Sequence, residues 1–410
     1  MSVPAARVAL FNSADPRGLK VGGIETYIRD YIAHHPEDME VLFIGPDEIG
    51  DLTPGTVSQV RLRGRSFGYL PLGRRADSVN AYPERIGESE TLAFLRMMMR
   101  HWQLLRTTLR GRYSAEIRRV EYAPFIAGLG LPFIQMLHLR GARKLPMSGL
   151  QNRLWPVTRG AEYVAAGLCR RFYTVTAELT EQLRRRSWPF AHKFATLTTW
   201  ADPALFRPSP FNTADDTLHL VFAGRTDAFK QLGLMMQVVA RVRARLPGRI
   251  AFHYIGDGDL TAYPEYAAIA DISSHHGRRP AAQVAQLIAR CSMGLLTSAF
   301  EGMPRFVLEC LGSGRPVVAL QLPQLRAVVR PGLSGALVPP GADALERMAE
   351  AIVEVRNACR SGALTPETIA ACVSRFRPEP MLAPIWEDHR LLARNGALPY
   401  PKRQATGRAR

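Results

Sequence analysis

Cysteine is scarce. The five in the 410-residue chain, Cys169, Cys291, Cys310, Cys359 and Cys372, are scattered, with no Cys-x-x-Cys pair and no paired His. That argues against a disulfide framework or a zinc site and fits a reducing cytoplasm. Long apolar runs are scarce too. The first, Val8 to Phe11, is cut by Asn12 and Asp15, so no cleavable signal is expected. The uncharged stretch 122–139 is interrupted by Pro124, Gly128, Gly130 and Pro132. It reads as two buried strands, 120–126 and 131–137, rather than a membrane span. Acidic residues are also in deficit, 36 against 53 basic, for a formal charge of +17. Such a surface attracts phosphate-rich partners: nucleic acid, an anionic membrane or charged small substrates. The length favours two domains over one core.

What is present is concentrated in residues 291–320. Met293 to Leu296 reads as a buried strand, Ser298 to Pro304 as a turn, Phe306 to Leu311 as a helix stopped by Gly312-Ser313-Gly314, and Pro316 to Leu320 as a second strand. Strand, loop, helix, strand is the unit of a parallel α/β sheet. Glu301 falls in the loop at the carboxyl end of a strand, where such sheets hold ligands, and Glu309 lies about two turns away from it, on the helix. Pro304 suits a first helical turn, and the N–H groups around Gly302 and Met303 favour an anion.

This stretch resembles the signature of retaining glycosyltransferases of the GT-B fold, family 4: Glu, seven residues, Glu, then Gly-x-Pro-Val-Val. Glu301, Gly302, Pro304, Glu309, Gly314, Pro316, Val317 and Val318 match it. The resemblance implies two Rossmann-like doubly wound α/β domains facing a cleft. It also implies contact of Glu301 with the donor sugar and of Glu309 with the ribose hydroxyls of the nucleotide.

Earlier in the chain, 7–12 reads as a strand, followed by a polar loop ending in Gly22-Gly23 and a helix over 24–34. Glycines at a helix start suit either a plain turn or close approach of a phosphate. The resemblance selects the second, with Gly22 and Gly23 facing the donor phosphates. A strand is expected over 40–45 and a loop region over 51–90. From Leu92 the pattern is helical, with Leu95, Met98, Met99, Trp102, Leu105 and Leu109 on one face and Arg96, Arg100 and Arg110 beside it. That face either packs on the first sheet or meets an anionic membrane. His138 ends the second of the two expected strands, and the resemblance makes it the candidate active-site residue of the first domain.

Residues 199–208 resemble the family's exit from the first domain. Beyond them, Leu218 to Phe222 reads as a strand and 232–245 as a helix, with Arg225 and Lys230 in the loop between, two cations suited to a diphosphate. The family pattern is Gly-Arg, four residues, Lys-Gly; here Gln231 replaces the last Gly. A strand over 250–255 leads to Gly256-Asp257-Gly258-Asp259, which resembles the family's Val-Gly-x-Gly turn more than a metal-binding Asp-x-Asp. The loop holding Gly277 and Arg278 corresponds to the family's base-reading region. Residues 335–341 match its Gly-x-Leu-Val-Pro-Pro-Gly turn.

The expected organisation is a first domain over 1–207, a nucleotide-sugar-binding domain over 208–380, a helix over 381–398 returning to the first domain, and a basic, disordered tail over 399–410. The expected activity is retaining transfer of a sugar from a nucleotide-diphosphate sugar to a saccharide or lipid-linked acceptor in bacterial surface-polysaccharide or glycolipid assembly. No cofactor or metal is expected, and no nucleic-acid partner. The expected site is the cytoplasm, with attachment to the inner face of the plasma membrane as a further expectation. A sugar phosphorylase or nucleotide-sugar epimerase of the same fold is the alternative. A nucleic-acid binder would leave Glu301, Glu309, Arg225 and Lys230 without a task.

Overall fold

The computed structural model describes all residues except 1–4, 21, 76–88, 139–154, 213–215, 247–248, 397 and 399–410. The predicted tail, 399–410, therefore lies outside the described residues. The chain divides into two compact units, Met1–Thr198 with Glu379–Arg410, and Thr199–Pro378.

The first unit is built on an eight-stranded sheet in the order β3-β4-β2-β1-β5-β6-β7-β8. Its strands are β1 (Ala6–Phe11), β2 (Met39–Asp47), β3 (Ser58–Leu62), β4 (Arg65–Arg74), β5 (Ser114–Ile117), β6 (Phe133–Leu137), β7 (Arg171–Thr174) and β8 (Phe194–Thr196). All neighbours run parallel except β3 and β4. The parallel strands are apolar on both faces because helices cover both. These helices are α1 (Gly23–His34), α2 (Glu90–Arg100), α3 (Trp102–Leu109), α4 (Ala123–Gly128), α5 (Trp155–Leu168) and α6 (Ala177–Arg186). Helix α1 buries Tyr27, Ile28, Tyr31 and Ile32, one face at helical spacing. Thr176 caps α6 by accepting from the Leu179 N–H.

Three sequence expectations change here. Residues 120–126 are not a strand: a short 3-10 turn, Val120–Tyr122, runs into α4, with Pro124 in the first helical turn, where its missing N–H leaves no bond unmade. The strand at this point is β5, whose apolar pattern is broken by Glu116. The region 51–90, expected as a loop, holds the β3–β4 hairpin. Its two-residue turn is Arg63-Gly64, both at positive φ, a hairpin geometry usually signalled by Asn-Gly. The long helical pattern from Leu92 breaks at His101 into α2 and α3. Phe94, Met98, Leu105 and Leu109 are fully buried, and Leu95 and Trp102 pack against the same core. Of the predicted stripe, Met99 is exposed. This face is core, so burial removes it from contact with a membrane.

The second unit is a six-stranded, wholly parallel sheet in the order β11-β10-β9-β12-β13-β14. Its strands are β9 (Leu218–Ala223), β10 (Ile250–Ile255), β11 (Ser273–His275), β12 (Met293–Leu296), β13 (Val317–Leu320) and β14 (Gly335–Val338). Its helices are α7 (Leu232–Arg245), α8 (Ala281–Arg290), α9 (Arg305–Gly312), α10 (Ala344–Arg360) and α11 (Pro366–Ala371). The division falls at 198, ahead of the expected 207, because residues 199–206 pack within this unit. Trp200 is fully buried, the Ala201 N–H donates to the Phe376 carbonyl at 3.1 Å, and Phe206 and Ala201 lie against Gly312.

The last helix, α12 (Pro378–Asn395), belongs with the first unit from Glu379 onward. Its Asp388 accepts from Arg171 at 2.9 and 3.1 Å and from the Tyr173 hydroxyl at 2.7 Å. Its His389 is fully buried, 2.7 Å from Ser114 Oγ and 3.4 Å from Glu116 Oε2. Among the described residues no helix is long and apolar enough to cross a membrane.

Candidate functional site

In the second sheet the chain runs outward from β9 through β10 to β11, then returns to the other side of β9 for β12, β13 and β14. The loops after β9 and β12 therefore part at a topological switch point, where open α/β sheets leave a crevice for ligands. Arg225 and Lys230 are in the first of these loops, and residues 297–304 form the second.

The two loops are stitched together. Thr297, fully buried, donates through its hydroxyl to the Lys230 carbonyl at 2.8 Å, and the Ala299 N–H donates to the Phe229 carbonyl at 2.8 Å. Lys230 Nζ then reaches across to Glu301 Oε1 in an ion pair, and the same oxygen accepts from Ser298 Oγ at 2.8 Å. Gln324 fixes the backbone beneath by donating to the Glu301 carbonyl at 2.9 Å. Arg225 Nη2 lies 3.0 Å from Asp227 Oδ2. The two predicted cations thus each hold a carboxylate, which answers the repulsion expected of two bare charges at one strand end. Gln231 adopts the left-handed conformation, φ 51 and ψ 51, at the start of α7. The backbone demands what glycine offers most cheaply, and a glutamine meets it.

Gly302, Met303 and Pro304 form the lead-in to α9, with Pro304 capping the helix from an extended conformation one residue ahead of the expected position. Glu309 is one turn into α9, 3.7 Å from Arg305, whose guanidinium also lies over the buried ring of Trp200 at 5.7 Å. The turn after β10 packs against the loop after β9: a Cβ on Gly256 would stand 2.3 Å from the Gly224 carbonyl, so only glycine fits. Gly277, at φ 66, accepts from the Gly256 N–H at 3.1 Å, and Arg278 pairs with Asp257. That hydrogen bond holds the Asp257 carboxyl below its ordinary range. Beside this loop a row of imidazoles crosses the sheet. His219 Nδ1 is 2.9 Å from His253 Nε2, and His253 Nδ1 is 3.0 Å from His276 Nε2. Burial, then its two neighbours, lower the His253 pKa to about 4.

The first unit has its own switch point, between β1 and β5. Gly22 caps α1 and accepts from Thr26, while Gly23 opens the helix with nothing within 4 Å of a Cβ placed there. Tyr27, the next turn of α1, meets the ring of His138 edge-on at 4.9 Å. His138 immediately follows β6, as expected from the sequence. The other face of Tyr27 carries Arg118, whose guanidinium is 4.6 Å from the ring centre and 2.5 Å from Glu116. Its Nε and Nη1 find no hydrogen-bond partner among the described residues. The sequence pattern does not mark Arg118 or Tyr27, because the strand that carries Arg118 to its place, β5, precedes it, whereas the apolar run that follows it folds as a turn and a helix. The loop ahead of α1 is braced from within: Arg29 donates to the carbonyls of Pro16, Gly18 and Lys20 at 2.7, 2.6 and 2.9 Å. Arg225, Lys230, Glu301 to Pro304 and Glu309 thus share one end of the second unit's sheet, and Gly22, Gly23 and His138 share the first unit.

Two α/β units with these switch points match known structures along almost their whole length. Sucrose-phosphate synthase from Thermosynechococcus elongatus superposes with a TM-score of 0.74 at 17% identity, covering 94% of this chain and 99% of that one. The fold is GT-B. Anabaena HepE in complex with UDP-glucose gives the same GT-B superposition, TM-score 0.66 at 15% identity, over 93% of this chain and 99% of that one. Residues 217–357 match the family model "Glycosyl transferases group 1". That range holds every predicted site residue of the second unit. The lipopolysaccharide 1,6-galactosyltransferase of Salmonella typhimurium is 36% identical over 106 residues, 24% of this chain. The chain spans 30% of that relative's length. Among the described residues no three His, Cys, Asp or Glu side chains gather as metal ligands.

Proposed function

We propose that the chain is a glycosyltransferase moving a sugar from a nucleotide-diphosphate sugar to an acceptor hydroxyl with retention at the anomeric carbon. The observation that carries this is the Lys230–Glu301 ion pair at the switch point of a group 1 glycosyltransferase domain. In this reading a diphosphate takes up Lys230 and Arg225 through charge-assisted contacts, and Glu301, relieved of Lys230, turns to the sugar hydroxyls. Departure of the nucleotide builds negative charge, which these two cations and the backbone at Gly302 and Met303 stabilise without a metal. Glu309 holds the ribose and the 277–278 loop meets the base, while Gly22, Gly23 and His138 are the candidate residues of the first unit. No carboxylate is assigned as a nucleophile of the glycosidase kind. The likeness to HepE, a protein solved in complex with UDP-glucose, supports a uridine donor as the first to try. The galactosyltransferase relative supports an acceptor in surface-polysaccharide or glycolipid assembly, met by a cytoplasmic enzyme.

The test is a screen of nucleotide sugars by thermal shift, followed by incubation of the best binder with membrane extract. The expected result is a product whose new glycosidic bond keeps the donor's anomeric configuration by NMR. Release of sugar phosphate with consumption of inorganic phosphate would replace this reading with a phosphorylase, and interconversion of the nucleotide sugar alone with an epimerase.

A further inference from the structure

Arg305 opens α9 with a cation, against the electrostatics of the helix. The first turn holds no acidic side chain, and a positive charge there faces the positive end of the helix dipole. Its partner four residues on is Glu309, so the pair also runs in the less favourable direction, cation ahead of carboxylate. Local helix stability does not account for an arginine at this position, and its contacts must.

Three groups hold the guanidinium. Nη1 donates to Thr199 Oγ1 at 3.3 Å, the guanidinium carbon lies 5.7 Å from the centre of the Trp200 ring, and Nε lies 3.7 Å from Glu309 Oε1. Trp200 is fully buried, and the chain beyond it is tied down by the Ala201 N–H on the Phe376 carbonyl. The Arg305 and Glu309 side chains are each 15% exposed, so solvent ions screen their attraction less than that of a surface pair. The guanidinium is thus a planar link between an anchored segment, 199–201, and the carboxylate of Glu309. A lysine has no plane to lay on Trp200 and no fork to reach Thr199 and Glu309 together.

A ribose offers two adjacent hydroxyls, 2′ and 3′, and both donate to one carboxylate only when its two oxygens face them together. A glutamate free to turn about its side-chain bonds loses that freedom on binding, which weakens the complex. A carboxylate fixed beforehand avoids the loss. With Glu309 as the ribose contact, the reading on which this rests, we infer that Arg305 is a positioning residue. It holds the Glu309 carboxylate toward the 2′,3′-diol and so sets the second unit's preference for ribonucleotides over their deoxy forms.

The test is calorimetric binding of UDP and of 2′,3′-dideoxy-UDP to the full chain, or of the GDP or ADP pair if one of those binds more tightly. The parent should bind the ribose form at least roughly tenfold more tightly, and Glu309→Gln should bring the two forms within about twofold. Arg305→Met should cut the ratio to roughly threefold or less, and the double variant should discriminate as Glu309→Gln does alone. Arg305→Lys should restore part of the ratio. Affinity for the dideoxy form should match the parent's in every variant, which also shows that each keeps its fold. Arg305 variants with the parent's ratio, while Glu309→Gln loses it, would overturn the positioning role and leave the ribose contact standing. Equal losses for both nucleotides would also overturn it, giving Arg305 to the diphosphate or to the packing of α9. A ratio that survives in Glu309→Gln, or a parent that does not discriminate, would overturn the reading of Glu309 and the role of Arg305 with it. A parent that binds no nucleoside diphosphate would remove the donor site altogether.

Discussion

Lys230 and Glu301 join the loop after β9 to the loop after β12, with side chains only 14% and 8% exposed. A charge pair so sheltered is costly to break on one side, because the remaining partner stays desolvated. Each single change, Lys230→Met or Glu301→Gln, should lower stability by about 3 kcal/mol in urea unfolding. The double variant should lose less than the sum, by about 1–3 kcal/mol. Additive losses would mean that the pair contributes nothing as a pair.

The same pair sets opposite expectations for binding and turnover. Glu301→Gln releases Lys230 toward the diphosphate, so nucleotide binding by calorimetry should hold or tighten while turnover falls. Arg225→Ala and Lys230→Ala should each weaken nucleotide diphosphate binding by about 1.5–3 kcal/mol, the value of a charge-assisted contact. Glu309→Ala should weaken the nucleotide through lost ribose hydrogen bonds. Unchanged turnover in Glu301→Gln with the true donor and acceptor would remove that residue from the reaction.

Gln231 stands at φ 51, ψ 51, where a side chain is strained by about 1 kcal/mol. Gln231→Gly should stabilise the second unit by up to about 1 kcal/mol, partly offset by the greater entropy of glycine in the unfolded chain. A higher urea midpoint without a change in slope would be the signature.

His253 predicts a pH dependence. Its pKa is about 4 in the folded protein against the ordinary 6.5, so below pH 6.5 the unfolded chain binds a proton that the folded one refuses. The neutral ladder is therefore fully tolerated above pH 6.5, and stability declines as pH falls from 6.5 toward 4. His253→Gln should flatten thermal stability across that window. An unchanged slope would show that the imidazole row does not govern it.

How much of this was legible in the sequence depended on whether the signal was local. The second unit's strands and the placement of Arg225, Lys230, Glu301 and Glu309 followed from short apolar runs punctuated by Gly and Pro. In the first unit Glu116 hid β5, because a buried carboxylate is tolerated there through partners that include Arg118 and His389, the latter from a distant helix. Arg63-Gly64 hid a hairpin because arginine at positive φ is no usual turn signal. The pairing of Lys230 with Glu301 joins residues 71 apart in the chain, and no spacing rule reaches that far.

Because α12 completes the first unit, the order of synthesis runs against the order of assembly. Residues 5–198 leave the ribosome first, yet Arg171 and Glu116 wait for Asp388 and His389, near the end of the chain. The second unit, 199–378, is contiguous and can close while the first still lacks a helix. A chain cut after Pro378 would accordingly keep a folded second unit attached to a first unit whose buried Arg171 has lost Asp388 and whose Glu116 keeps Arg118 but has lost His389.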